Sequence, residues 1–155
     1  MPKIHLETFI RASPELCFDL ARDVDIHMAS TDYTGERAVQ GVTSGMMNLG
    51  DEVTWEARHF GVRQRLTSRI TAMERPRMFV DEMQRGAFAR WRHTHTFAHQ
   101  RGGTLVTDDV DFASPHGPLG AIVDALVLKN YMTRFLVRHN AHFKREAEAL
   151  AKART

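Results

Sequence analysis

Apolar positions recur with two different periods along this chain. Residues 3–11 alternate, with Ile4, Leu6 and Thr8 on one side and His5, Glu7 and Phe9 on the other, which predicts a strand. Ser13 then offers a hydroxyl N-cap ahead of Pro14 at the first helical position. Leu16, Cys17, Leu20 and Ala21 supply the apolar face of a short helix over 14–22. Asp23 caps a second short helix through Val24, His27 and Met28, closed by Ser30, Thr31, Asp32 and Gly35.

From residue 36 the texture becomes extended, and strands are predicted over 36–40, 51–60, 64–73, 78–85, 90–99 and 104–112. Most separators are short and rich in Gly or Pro, as in Gly61-Val62, Gly86-Ala87 and Gly102-Gly103, so the strands read as an antiparallel meander. Beyond Ser114-Pro115-His116-Gly117-Pro118 the period turns helical. Leu128, Met132, Phe135, Leu136, His139, Phe143, Ala147 and Leu150 form one stripe, and Leu119, Ile122, Val123, Leu126 and Val127 form a second, nearly opposite one. One straight helix cannot aim both at the same sheet. Either it bends near Lys129-Asn130, or the earlier stripe is covered by a loop, a bound molecule or another subunit.

Composition narrows the classes. A length of 155 residues, 43% hydrophobic and 26% charged, reads as one folded domain spanning 1–155. A net charge of +2 does not suggest a nucleic-acid binder. Cys17 is the single cysteine, the opening Met1-Pro2-Lys3-Ile4-His5 has no apolar leader, and Asp124 interrupts the most apolar stretch. A cytoplasmic protein without membrane insertion is the expectation. No nucleophile elbow, phosphate loop or dinucleotide fingerprint occurs, and no cofactor is expected.

Three stretches carry a resemblance. Residues 9–18 place a strand, Ala12-Ser13-Pro14 and a helix with Phe18 in succession; Ile70, Pro76 and Phe79 space out a hairpin; Trp91, His93 and Phe97 precede Gly102-Gly103-Thr104. In this order they resemble the START-like, or SRPBCC, superfamily of polyketide cyclases/dehydrases and Bet v 1-like proteins. The resemblance implies an α+β helix-grip fold: a curved antiparallel sheet of about seven strands, two short helices after the first, and a long C-terminal helix enclosing a cavity. That cavity implies a hydrophobic or aromatic small molecule as partner. It does not imply one chemistry.

Strand alternation selects the candidate site. Trp91, His93, His95, Phe97 and His99 share one face, taken as concave for its aromatics. Val106, Asp108, Val110 and Phe112 form the more apolar face of the next strand, where Asp108 can orient His93 or His95 for acid–base work; the alternative is an ion pair to Arg90 or Arg92. Trp55 and His59 share a face with Val53 and Ala57. The ligand-binding set is therefore Trp55, His59, Trp91, His93, His95, Phe97 and Val110, with His93, His95 and Asp108 as the catalytic candidates. His-x-His is also a metal spacing with Asp108 or Glu82 as a third donor, but pair spacing alone is poor evidence and no metal is expected. The facing of Glu82 is open, as Met78, Val80 and Gln84 compete with Phe79, Asp81 and Met83. Arg58, Arg63, Arg65, Arg69, Arg90 and Arg92 form a basic outer face.

Three functions are expected in order: ligand binding in the cavity, a cyclase or dehydratase using His93, His95 and Asp108, and an interaction module or homodimer docking through the 119–127 stripe, related to so-called cell-division-inhibitor relatives. If the two histidines have only water or ligand as partners, their loss changes affinity more than stability, whereas Phe97→Ala costs roughly 3 to 5 kcal/mol.

Overall fold

The computed structural model describes residues 2–59, 61–115 and 117–155, with Asp124 and Ala125 as backbone only. The expected strand end at Phe60 and the turn residue His116 lie outside the described residues. Strand β1 (Lys3–Ile10) leads into α1 (Pro14–Ala21) and α2 (Val24–Ser30). The Ser13 side chain caps α1 by accepting from the Leu16 amide, and Asp23 caps α2 by accepting from the Asp25 and Ile26 amides. Both caps stand where the sequence puts them.

The meander follows as β2 (Arg37–Gly41), β3 (Glu52–His59), β4 (Val62–Glu74), β5 (Met78–Arg85), β6 (Arg90–Gln100) and β7 (Gly103–Ala113). They form one seven-stranded antiparallel sheet in the order β1-β7-β6-β5-β4-β3-β2, so the first strand closes onto the last. Gly41 holds φ +74° against β3, where a Cβ would stand 2.2 Å from the Glu52 carbonyl oxygen, and only glycine fits. On the outer face Arg65 and Arg63 reach Glu56, Arg69 reaches Glu52, Arg92 reaches Glu82 and Arg90 reaches Asp111. The basic face is thus balanced by acids in register, and both arginines proposed as Asp108 partners are engaged elsewhere.

After β7 come α3 (Gly117–Val123), a π-helical turn (Asp124–Leu128) and α4 (Lys129–Ala153). The irregularity falls just before the expected bend at Lys129-Asn130. One extra residue in a helical turn rotates all that follow by about 100°, and here it does not bring the earlier stripe onto the sheet. The α4 stripe packs inward through Met132, Leu136, Phe143 and Ala147. Leu119, Ile122, Val123, Leu126 and Val127 are exposed.

The inner layer divides into two apolar clusters. One gathers Ile10, Phe18, Phe79, Phe97, Phe143 and Ala147; the other gathers Ile4, Trp91, Val110, Phe112, Met132 and Leu136. Phe18 stands edge-on to both Phe79 and Phe97, with centroids 5.5 and 5.4 Å away. Phe97→Ala is expected to lower stability by about 3 to 5 kcal/mol, because the α1 side of this stack cannot collapse into the gap. Leu119→Ser is expected to change it by less than about 0.5 kcal/mol. Chemical denaturation of the two variants measures the contrast.

Candidate functional site

Between the two clusters all three central elements turn polar at the same height. On β6 the inward series reads Trp91, His93, His95, Phe97; on β7 it reads Val106, Asp108, Val110; on α4 it reads Leu136, Asn140, Phe143. Register places His95 opposite Asp108 and, across the other edge of β6, His93 opposite Asp81 of β5. Asp108 Oδ1 accepts from His93 Nε2 at 2.8 Å and lies 3.1 Å from His95 Nδ1, while its Oδ2 accepts from Asn140 Nδ2 at 2.8 Å. Asp81 Oδ2 lies 2.8 Å from His95 Nε2 and 4.0 Å from His93 Nδ1. The two imidazoles stack at 3.7 Å, so a pair of parallel rings bridges two carboxylates.

This geometry sets the proton affinities. Burial opposes charge on His95, but hydrogen bonds and charge from Asp108 and Asp81 outweigh it and raise its pKa to about 9. Burial likewise opposes ionisation of the two carboxylates, yet the histidines hold Asp108 well below its ordinary value and Asp81 below its own. Asp81, His93 and His95 also offer donor atoms within 4.8 Å of one another, a spacing a metal ion can use. In this structure His95 Nε2 and Asp81 Oδ2 are engaged with each other at 2.8 Å. Glu82, one of the third donors weighed for a metal, points outward to Arg92.

A cavity of about 380 Å³ opens against this cluster, between the sheet, α2 and the first half of α4. Trp55, His59, Trp91, His93 and His95 line it, joined by Phe79, Tyr131, Met132, Phe135 and Leu136. Phe97 and Val110 do not stand on its wall. They sit in the two apolar clusters behind it, because the inward face of a strand continues past the ends of the cavity. Asp108 is 3% exposed and lies behind the two histidines that it contacts. The cavity also holds residues that strand alternation does not single out. His27 Nε2 lies 2.5 Å from Glu36 Oε1; the His139 ring lies 4.9 Å from the His27 ring; Tyr131 hydroxyl and His59 Nδ1 are 2.6 Å apart. Burial lowers the pKa of His59 and, with the neighbouring His27, lowers that of His139 much further.

Residues 1–148 match the family described as "Polyketide cyclase / dehydrase and lipid transport". The chain belongs to this family. No functionally curated protein matches the sequence. Among solved structures, this polyketide cyclase / dehydrase family member is similar to TTHA0849 from Thermus thermophilus, with TM-score 0.78 and 18% identity over 97% of this chain and 99% of that one. It is also similar to ginseng major latex-like protein 151 from Panax ginseng, with TM-score 0.66 and 14% identity over 94% and 97% of the two chains. A START superfamily protein from Mycobacterium smegmatis aligns with TM-score 0.65 and 12% identity over 99% of each chain. At these identities the likeness concerns the fold, which is the helix-grip arrangement of START and Bet v 1-like proteins.

The partners of the histidines change one expectation. They are buried protein carboxylates, not only water or ligand, so removing a ring strands a charge. His95 favours the folded state fully below its unfolded pKa of about 6.5, and that contribution fades as pH rises toward its folded value of about 9. His95→Ala is therefore expected to cost about 3 kcal/mol near pH 6 and measurably less near pH 9. Urea denaturation of both proteins across that range reads the narrowing.

Proposed function

We propose that the cavity binds a small hydrophobic or aromatic molecule, with its apolar body against Trp55, Trp91, Phe135 and Leu136 and its polar end toward the histidines. The observation that carries this reading is the cavity itself: about 380 Å³ of open space inside the domain, lined by aromatic side chains together with the polar groups of the histidine cluster. Membership of a family described by polyketide chemistry and lipid transport supports the same class of molecule. His59 and Tyr131 stand at the α4 side, where their hydrogen bond ties helix to sheet beside the space. Val110 and Phe97 support the wall from behind.

The test is occupancy and its loss. Native mass spectrometry of the purified protein, mildly desolvated, is expected to show a retained small molecule or uptake of added naphthalene. Ala57→Trp, which projects an indole into the cavity from β3, is expected to weaken naphthalene binding at least about tenfold while the protein still melts cooperatively. Absence of any retained or added ligand in the parent protein, or undiminished binding in Ala57→Trp, rejects the reading.

The stacked histidines support a second reading, a cyclase or dehydratase. His95, held protonated by its two carboxylates at neutral pH, and the stacked His93 make a buried proton store beside the cavity, with Asp108 as the positioning carboxylate. Turnover of a polyketide-like substrate that Asp108→Asn abolishes while binding persists supports it; binding without turnover leaves the carrier reading.

A further inference from the structure

The cavity contains a hydrogen-bond acceptor that the protein leaves open. His139 lies on α4 with Nδ1 turned to the Ser30 hydroxyl of α2, a contact tighter than an ordinary hydrogen bond. Ser30 has one proton, and its oxygen lies 2.7 Å from the His27 carbonyl oxygen. Two oxygens at that distance need a proton between them, and a carbonyl has none to give. The hydroxyl proton therefore points at the carbonyl, Ser30 accepts from His139, and the imidazole carries its hydrogen on Nδ1. Burial and the nearby His27 keep the ring neutral. Its other nitrogen, Nε2, is then a bare lone pair on a cavity-lining residue, with no protein donor on it among the described residues.

The charges around the same wall point one way. Asp81, Asp108 and Glu36 are carboxylates facing His93, His95 and His27, so even full protonation of those three rings leaves no surplus positive charge. The nearest guanidiniums are committed: Arg22 to Asp19, the Met47 carbonyl and Asn48, and Arg65 to Glu56. An anionic head group would enter without a counter-charge, at the full desolvation cost.

We infer that the cavity selects a neutral hydrophobic ligand bearing a hydroxyl or comparable N–H donor, which gives its proton to His139 Nε2. This rests on the cavity being a ligand site, and it adds the chemical class: phenols and alcohols are taken, while carboxylates and O-methyl ethers of the same skeleton are discriminated against. Ser30 is a specificity-determining residue in this scheme, because it fixes which ring nitrogen is bare.

Four probes at neutral pH separate the outcomes: naphthalene, 2-naphthol, 2-methoxynaphthalene and 2-naphthoate, titrated by calorimetry into the full-length protein. The naphthol is expected to bind at least about tenfold tighter than the ether and the carboxylate. In His139→Phe that advantage is expected to vanish while naphthalene still binds. Equal or tighter binding of the ether or the carboxylate overturns the inference, with naphthalene binding showing that the ligand site itself stands. Failure of all four probes takes the site reading down and the inference with it. Imidazole ¹⁵N NMR of the parent protein gives an arm independent of any variant's folding. It is expected to report His139 protonated at Nδ1 and bare at Nε2, and a proton on Nε2 overturns the assignment.

Discussion

Asp108 is a carboxylate in the middle of β7 that water does not reach, and satisfying it fixes the relation of three elements at one point. An unpaired buried carboxylate would cost several kcal/mol. Its two oxygens take two imidazoles from β6 and one amide from α4. That amide, Asn140 Nδ2, pins the long helix to the sheet at a single height. Apolar residues could hold α4 against the sheet with more stability but would tolerate sliding, whereas a three-way polar junction has one register.

The junction also divides the interior. On β6, β7 and α4 alike, polar residues separate the Phe18–Phe97 cluster from the Trp91–Phe112 cluster, and the cavity opens where the polar level meets α2 and β3. Two stacked imidazoles between two carboxylates give this wall an unusual balance: it holds protons tightly, yet presents no spare positive charge to a ligand. Polar recognition then passes to single groups at the edge of the cluster, of which His139 is the one whose tautomer the surrounding hydrogen bonds decide.

Strand alternation is enough to read the β6 and β7 faces, because Trp91, Phe97, Val106 and Phe112 flank His93, His95 and Asp108 at even spacing. It is not enough for β5. Strands ending at Arg85 and resuming at Arg90 imply those two residues face each other across the hairpin, while the observed register pairs Asp81 with His93 and Glu82 with Arg92, one residue out of step. A one-residue slip exchanges the two faces; since both faces of β5 are half apolar, alternation leaves Glu82 in contention for the site, and Asp81 is found there. Asn140 and His139 are legible only as polar residues on an apolar helical stripe, a signal that marks a site without saying what lies across from it. The pairing of His27 and Glu36 joins a helix to the segment before β2 and has no periodicity to betray it.

The exposed stripe beside the open cavity follows from the chain's own apolar pattern. On a helix continuing in phase from Lys129 back to Gly117, Leu119 and Leu126 lie well off the line that Met132 and Leu136 follow toward the sheet. The π turn does not bring them onto the sheet: Leu119, Ile122 and Leu126 face outward, each more than half exposed. From the helical side Leu128, Tyr131, Met132 and Phe135 line the cavity. Leaving large aliphatic residues in water forfeits roughly 1.5 to 3 kcal/mol of burial for each. These residues stay in water beside the cavity, and stripe and cavity are both open to apolar contact from a molecule that is not part of the chain.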